Sequence, residues 1–428
     1  MKLFTPLRLR GFRVLWAAMA FSLIGDGLAL VAIAWQVYQL SDVPTALGVT
    51  MMAMSIPHIL LLPLGGVISD RVERRRLLLA ADAVRCAALA ALGALSLGAG
   101  LQLWHMIVFA ALYGAGNAFF GPAFDAIVPE LVPQELLAQA NSLDQFVRPV
   151  ASRLAGPAIG GWIVSAAGPG WAFLANAATF LLSMACLLVL GAKGAAPRTA
   201  PDRDRPLPAP SPWNDALEGL RYVRSNAWLW GTFVAATLAY FVFLGPSEVL
   251  LPYLVKHEMG ADAGDLGMVY AAGGLGAVAA AAAMAQRGLP RRNMTFVFAC
   301  WGASTLAIAG YGFARSTWQA MLVCFVFNGL ESAGLIVWLT TRQSLVPARL
   351  LGRVASLEWL IATALMPVSY ALAGPVSAYL GARATLIGAG ILGSALTLAF
   401  LLLPGIRSVE AAAVASGADT AAGTALRV

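Results

Sequence analysis

The chain has 428 residues, 60% of them hydrophobic and only 11% charged, with a formal net charge of +7. A single water-soluble core of this length cannot hide so much hydrocarbon, which excludes an ordinary soluble domain. The apolar residues fall in blocks of about 20, the length at which a helix crosses a bilayer while satisfying its own backbone hydrogen bonds. The expected fold class is an all-α polytopic membrane protein.

In chain order, the first block follows a basic start (Lys2, Arg8, Arg10, Arg13) and runs past Asp26 without a small-residue cleavage site. It therefore reads as a retained span rather than a removable leader. Twelve spans are expected, near 13–39, 45–68, 77–99, 102–122, 146–167, 171–192, 228–254, 265–285, 294–313, 317–340, 356–379 and 384–404. Cys86, Cys186, Cys300 and Cys324 all lie inside apolar blocks, and His58, His105 and His257 are isolated from one another. No metal, cofactor or disulfide framework is expected from them.

The basic residues set the orientation. One set of loops holds only Lys256, Arg315 and Arg383, and Arg85, Arg148 and Arg153 fall within spans. The rest of the 28 lysines and arginines lie at the N-terminus, in the alternate loops and in the C-terminal tail. This bias places both termini in the cytoplasm of a protein of the inner (plasma) membrane. It also accounts for the positive charge without nucleic acid.

Residues 193–212 are polar and Pro-rich, as a linker would be. The following WNDALEGLRYVRSN is amphipathic, with Trp213, Leu217 and Leu220 on one side, and is expected to lie on the membrane surface. The Ala-rich tail after Arg407 is expected to be disordered. The resulting division is a six-helix bundle in 1–192, a linker with its surface helix in 193–226, a second bundle in 227–405 and a tail in 406–428.

The two halves share sequence. ELVPQELLAQANSLDQ (130–145) aligns without gaps with SLVPARLLGRVASLEW (344–359), placing Asp144 opposite Glu358. AGP at 155–157 recurs at 373–375, and QRGLPRR (286–292) is a worn copy of DRVERRR (70–76). Matches in the same order imply duplication, hence two pseudo-symmetric six-helix bundles around a central cavity, as in alternating-access transporters.

With these motifs in place, the sequence resembles the major facilitator superfamily over all but the linker and tail. Within it the chain is similar to the branch of drug and siderophore exporters that includes enterobactin and macrolide efflux carriers. Gly66, Asp70, Arg71, Arg74 and Arg75 match the superfamily's loop motif after the second span, with Glu73 replacing its second glycine. GPAIGG (156–161) looks like the antiporter motif of the fifth span, with Ser152 replacing its first glycine. Ala110 stands where many proton-coupled relatives carry a membrane-embedded arginine.

The resemblance implies a latch. Asp70 would sit near the start of the eleventh span, where the helix's partial positive charge favours a carboxylate. Arg71, Arg74 and Arg75 would pair with loop acids such as Asp125, Glu130, Glu135 and Asp144 when the cytoplasmic side closes. Positive-inside anchoring is the simpler role for the same cluster. Pro157 removes a backbone donor, and Gly156, Gly160 and Gly161 allow close helix approach, as a hinge or a plain packing interface requires.

Charges inside a membrane are costly and mark candidate sites. Asp26 and Glu331 lie near mid-depth, and a carboxylate that alternates between wet and dry surroundings can load and release a proton. A packing hydrogen bond for Asp26 and substrate contact for Glu331 are the alternatives. Glu248 is expected nearer the outer end of the seventh span, as a gate or substrate contact. Asp82 and Arg85, three residues apart, can neutralise each other. Arg148 and Arg153 either replace the missing fourth-span arginine, snorkel, or pair with Asp144. Aromatics such as Tyr113, Tyr240, Phe327 and Trp338 cannot be sorted between cavity and lipid by sequence.

No phosphate-binding loop is present, since Lys2, Lys193 and Lys256 are the only lysines. The expected function is proton-coupled efflux of a small amphipathic compound by a single chain embedded in lipid. A proton-coupled importer is the rival, and a membrane-embedded enzyme would need clustered catalytic groups that the sequence lacks.

Overall fold

The computed structural model describes residues 2–133, 136–190, 212–288 and 290–410, and among them the regular structure is helical, with no strand. A short 3-10 turn, Lys2–Arg8, leads into α1 (Arg10–Leu40), α2 (Pro44–Arg71), α3 (Arg74–Leu97) and α4 (Leu103–Leu131). The fifth rod, α5, consists of Leu137–Arg148 and Gly156–Ala167 joined by a π-helical turn, Pro149–Ala155. Next come α6 (Pro169–Leu190), the short α7 (Pro212–Ser225) and α8 (Ala227–Glu258), whose run includes π-wound turns at Pro246–Leu250 and Leu254–Glu258. The chain ends with α9 (Ala263–Arg287), α10 (Asn293–Phe313), α11 (Thr317–Leu345), α12 (Ala348–Thr363 and Met366–Leu380) and α13 (Ala382–Phe400). Eleven of these helices are long and apolar enough to cross a membrane. The twelfth rod is α5, which carries Asp144 and Arg148 in its first half and Arg153 in its π-helical turn.

Helices α1–α6 and α8–α13 form two bundles with the same neighbours. α2 packs on α4 as α9 packs on α11, α1 on α6 as α8 on α13, and α3 on α6 as α10 on α13. The bundles meet along two matching seams, α5 with α9 and α12 with α2. Even the tight turns correspond: Gly168 (φ +92°) precedes α6 and Gly381 (φ +86°) precedes α13. That backbone region penalises any residue with a Cβ, so glycine closes the turn in both halves.

The duplication is real, but one sequence match is out of step. A Cβ on Gly161 would lie 2.6 Å from the Ala263 carbonyl oxygen at the start of α9, and one on Gly374 would lie 2.4 Å from Thr45 Cα at the start of α2. Gly374 is thus the geometric counterpart of Gly161, not of Gly156 as the shared AGP suggests. In a helix rich in small residues a three-residue match can slide by more than a turn without losing its fit.

Large apolar side chains point outward over the helix barrel, as a lipid solvent requires. At the end of the molecule away from the chain's start, here the far end, Trp104, Trp162, Trp171, Phe313, Trp318 and Tyr379 are all exposed. Aromatic rings collect at such a depth where hydrocarbon meets headgroups.

Two expectations need correction. The segment 65–76 is mostly helical rather than a turn: α2 continues to Arg71, α3 begins at Arg74, and only Val72 and Glu73 link them. No proline or φ-positive glycine interrupts the winding there, so the helix continues into its charged end. The chain beyond 405 is also ordered as far as it is described. Ile406 is buried, and Glu410 accepts hydrogen bonds from Thr295 N (2.6 Å) and Oγ1 (3.0 Å). A carboxylate beside the first turn of α10 satisfies donors that the helix itself leaves unpaired. Residues 411–428, and 193–211 of the linker, lie outside the described residues. α7 forms a helix as expected, and Glu218 on it pairs with Arg349 (3.0 Å) and with Arg353 of α12.

Candidate functional site: a two-lobed cavity between the bundles

Three hydrophobic clusters organise the described core. One runs through both bundles in the far half, from Tyr38, Leu47 and Phe173 to Leu250, Leu266 and Tyr370. At the basic end there are two separate clusters, one per bundle: Phe12, Leu15, Leu78 and Leu187 in the first, Trp228, Phe233, Val297 and Trp338 in the second. The bundles are therefore fused at the far end and parted at the basic end. A cavity opens where the fused core stops.

It has two lobes. One, of about 200 Å³, is lined by Asp26, Leu30, Met51, Met54, Tyr113, Asn117, Glu248 and Tyr270. The other, of about 330 Å³, is lined by Leu30, Arg153, Tyr240, Phe243, Glu248, Tyr270, Phe327, Asn328, Glu331 and Trp359, among others. Leu30, Glu248 and Tyr270 belong to both. Three candidate acids and Arg153 thus face one space, and Tyr113, Tyr240 and Phe327 are cavity aromatics. Trp338 instead is fully buried in the second bundle.

The wall in the first bundle is a closed ionic network. Arg85 of α3 is 1% exposed and pairs with Asp82, which is 0% exposed. Arg85 also donates to Asn117 Oδ1 (2.9 Å), and its guanidinium lies between the rings of Phe120 and Phe180, 4.4 Å from each centroid. Ser183 Oγ donates to the other oxygen of Asp82 (2.6 Å). Asp26 joins at the cavity edge, accepting from Tyr113 OH and lying 3.8 Å from Arg85 Nη1. The Asp82–Arg85 pair expected from the i,i+3 spacing exists, but Arg85 reaches further, to Asp26. Arg85 is thus a buried cation beside Asp26.

The wall in the second bundle is looser. Arg153 enters from α5 across the seam, donates to Asn328 Oδ1 (2.7 Å) and lies 3.8 Å from Glu331 Oε2, while 51% exposed. Arg148 turns to Asp144 (2.7 Å) on its own helix and stays clear of the cavity lining. Asp144 and its repeat counterpart Glu358 are both ion-paired, Glu358 with Arg342 while also accepting a hydrogen bond from Trp338 Nε1 (2.7 Å). Glu248 lies in the far half of α8, within its π-wound turn Pro246–Leu250, and lines the cavity between the bundles. Among the described residues it has no hydrogen-bond or ion-pair partner.

The far-end seal is made of contacts between bundles. Tyr38 OH donates to Val249 O (2.7 Å), and Lys256 Nζ donates to the Tyr38 carbonyl near the end of α1. Ser165 Oγ donates to Asp262 Oδ2 (2.8 Å), and the same carboxylate caps α9 by accepting from Asp265 N (2.9 Å). These bonds, that from Asp265 N foremost, hold the Asp262 carboxyl below the usual carboxylate range. The GPAIGG run sits where three helices cross. A Cβ on Gly156 would lie 2.7 Å from Gly27 Cα, one on Gly160 2.9 Å from Leu28 Cα, and one on Gly161 2.8 Å from Gly267 Cα. Pro157 is buried there, its carbonyl oxygen 2.5 Å from where a Gly267 Cβ would be.

Of the latch residues, the side chains of Gly66, Asp70 and Arg71 lie outside the described residues, as does Asp125. Arg75 Nε donates to Leu187 O (2.8 Å) and its Nη2 to Leu188 O (3.3 Å), closing the carbonyl end of α6. Arg74 opens α3.

The chain matches the family described as transmembrane secretion effector over residues 1–423. It is 27% identical to the multidrug efflux pump Tap of Mycobacterium tuberculosis over 414 residues, 94% of this chain and 95% of that one. With macrolide efflux protein A of Streptococcus pyogenes it shares 26% over 243 residues, 57% and 58% of the two chains. The crystal structure of the nucleoside transporter NupG superposes with a TM-score of 0.64 at 13% identity, covering 94% of this chain and 98% of that one. Family, fold and duplicated bundles agree: the chain belongs to the transmembrane secretion effector family of major facilitator transporters, which are carriers and not enzymes.

Proposed function

We propose that the protein exports a small amphipathic compound in exchange for protons, by alternating access of the two-lobed cavity. One observation carries this reading: the cavity lies between two bundles joined at the far end and parted at the basic end, with Asp26 on its wall. Tap and macrolide efflux protein A, whose names denote efflux, support the direction of transport. The loop bias of lysine and arginine makes the basic end cytoplasmic, so the conformation described is inward-open, in the inner membrane.

Rocking of one bundle on the other would break the far-end seal and bring the basic ends together. In that second state Gly66, Asp70, Arg71, Arg74 and Arg75 close the basic end. The small residues Gly156, Gly160 and Gly161 with Pro157 form the pivot. Asp26 carries the proton, because among the described acids of the first bundle it both lines the cavity and shares Arg85. The bundles 1–192 and 227–405 act as the two rigid bodies of one monomer.

The test uses inverted vesicles with an imposed pH gradient and a panel of antibiotics, siderophores and dyes. Compounds should dissipate the gradient in wild type and not in Asp26→Asn. A mutant that exchanges normally removes Asp26 from coupling, and uptake in the direction of the proton flow identifies a symporter instead.

A further inference from the structure

The cavity's charges divide unequally between engaged and unengaged groups. Arg85 is neutralised by Asp82 inside the first bundle, and Asp26 is tied to Tyr113 and Arg85. In the second wall Arg153 lies against Glu331 and Asn328. Glu248 is left over. It lines both lobes and has no hydrogen-bond or ion-pair partner among the described residues. Beside it Tyr270 also lines both lobes, and its hydroxyl is buried without a partner. The buried Tyr270 hydroxyl lacks a partner, and the Glu248 carboxyl facing the open cavity is free to accept one, so a ligand that engages both is favoured there.

The missing partner must be positive, to answer a carboxylate, and must carry an N–H, to use both the carboxylate and the phenol oxygen. Around this point the walls are aromatic and aliphatic, with Tyr240, Phe243 and Phe327 in one lobe and Met51 and Met54 in the other. Such walls accept hydrocarbon and favour a cation over a ring face. We propose that Glu248 and Tyr270 form the subsite for a protonated amine of the transported compound, so that the substrate class is lipophilic amines. This rests on the reading of the cavity as the transport site, but not on proton coupling or on the direction of transport. Glu248 would be a specificity-determining residue, and Asp26 would not.

The test measures equilibrium binding to the full-length protein in lipid nanodiscs at neutral pH, without any gradient. The probes are a dansylamide with a dimethylaminopropyl tail and its uncharged isostere with a branched alkyl tail. Wild type should bind the amine at least about tenfold tighter than the isostere, the worth of one charge-assisted hydrogen bond. Glu248→Gln should erase that preference while still binding the neutral probe, which reports an intact cavity. Tyr270→Phe should reduce the preference severalfold, and Asp26→Asn should keep it. The proposal is overturned if wild type shows no preference, whether binding is equal or undetected. It is equally overturned if Glu248→Gln keeps the preference, or loses binding of both probes. Failure of proton exchange in vesicles with the amine preference intact would sink the coupling scheme and leave this subsite standing.

Discussion

The ionic groups within a bundle and those between bundles are built to different specifications. Asp82 and Arg85 are fully buried, multiply hydrogen-bonded and ring-stacked. Arg153 and Glu331, which join the bundles, are part-exposed at 3.8 Å with one close neighbour, Asn328. Desolvated pairs are costly to break, whereas half-wet ones can exchange partners for water at little cost. The difference teaches which contacts would hold and which would part in the proposed rocking of the bundles.

The strongest challenge to that contrast is a pair of single substitutions compared by thermal unfolding in micelles. Arg85→Leu strands a buried carboxylate and should cost about 3–5 kcal/mol. Arg153→Leu should cost less than about 1 kcal/mol. Equal losses would mean that the two walls do not differ in kind. The seal offers an intermediate effect: Tyr38→Phe leaves Val249 O without its donor, which disfavours the closed far end by about 1–3 kcal/mol. Spin labels at Gly100 and Arg315, read by pulsed dipolar spectroscopy, should show a larger far-end-open population, and unchanged distances would show that Tyr38 holds nothing shut. The smallest effect is expected at Asp262. Asp262→Ala removes the α9 cap and should lower stability by about 1 kcal/mol or less, since the site is exposed. Because hydrogen bonding depresses this carboxyl, its contribution is full above the ordinary carboxylate range and fades as pH falls through the depressed value. The gap between wild type and Asp262→Ala should be constant near neutrality and narrow toward about pH 3; a gap that widens with acid would contradict the assigned sign.

Much of the architecture was legible in the residues because hydrocarbon length and basic-loop bias are one-dimensional signals. The twelve spans, the halves, the helix α7 and the close-packed GPAIGG crossing could all be read that way. What escaped depended on winding and depth. Glu248 reads as an outer-half residue of the seventh span, but apolarity does not say that its π-wound turn lines the cavity. The cation beside Asp26 is not legible because Asp82 and Arg85, three residues apart, can neutralise each other without a third partner. A clue existed in Tyr113 and Asn117, four apart on α4, which present two polar groups on one face and invite a partner from elsewhere. Arg75 was expected among loop acids, and no pattern in sequence announces that it reaches back to α6 carbonyls.

Tyr38 has a consequence for how the far end can part. Its hydroxyl bonds a backbone carbonyl of α8, and its own carbonyl receives the Lys256 ammonium, so one residue is tied to the opposite bundle through both its ends. Both ties must be replaced by other hydrogen bonds once they part, and hydrocarbon offers none. Separation therefore requires solvent molecules to arrive as the ties release, making hydration part of the motion itself rather than a sequel to it. Conditions that withdraw water from the far-end vestibule would hold the carrier in the conformation described here.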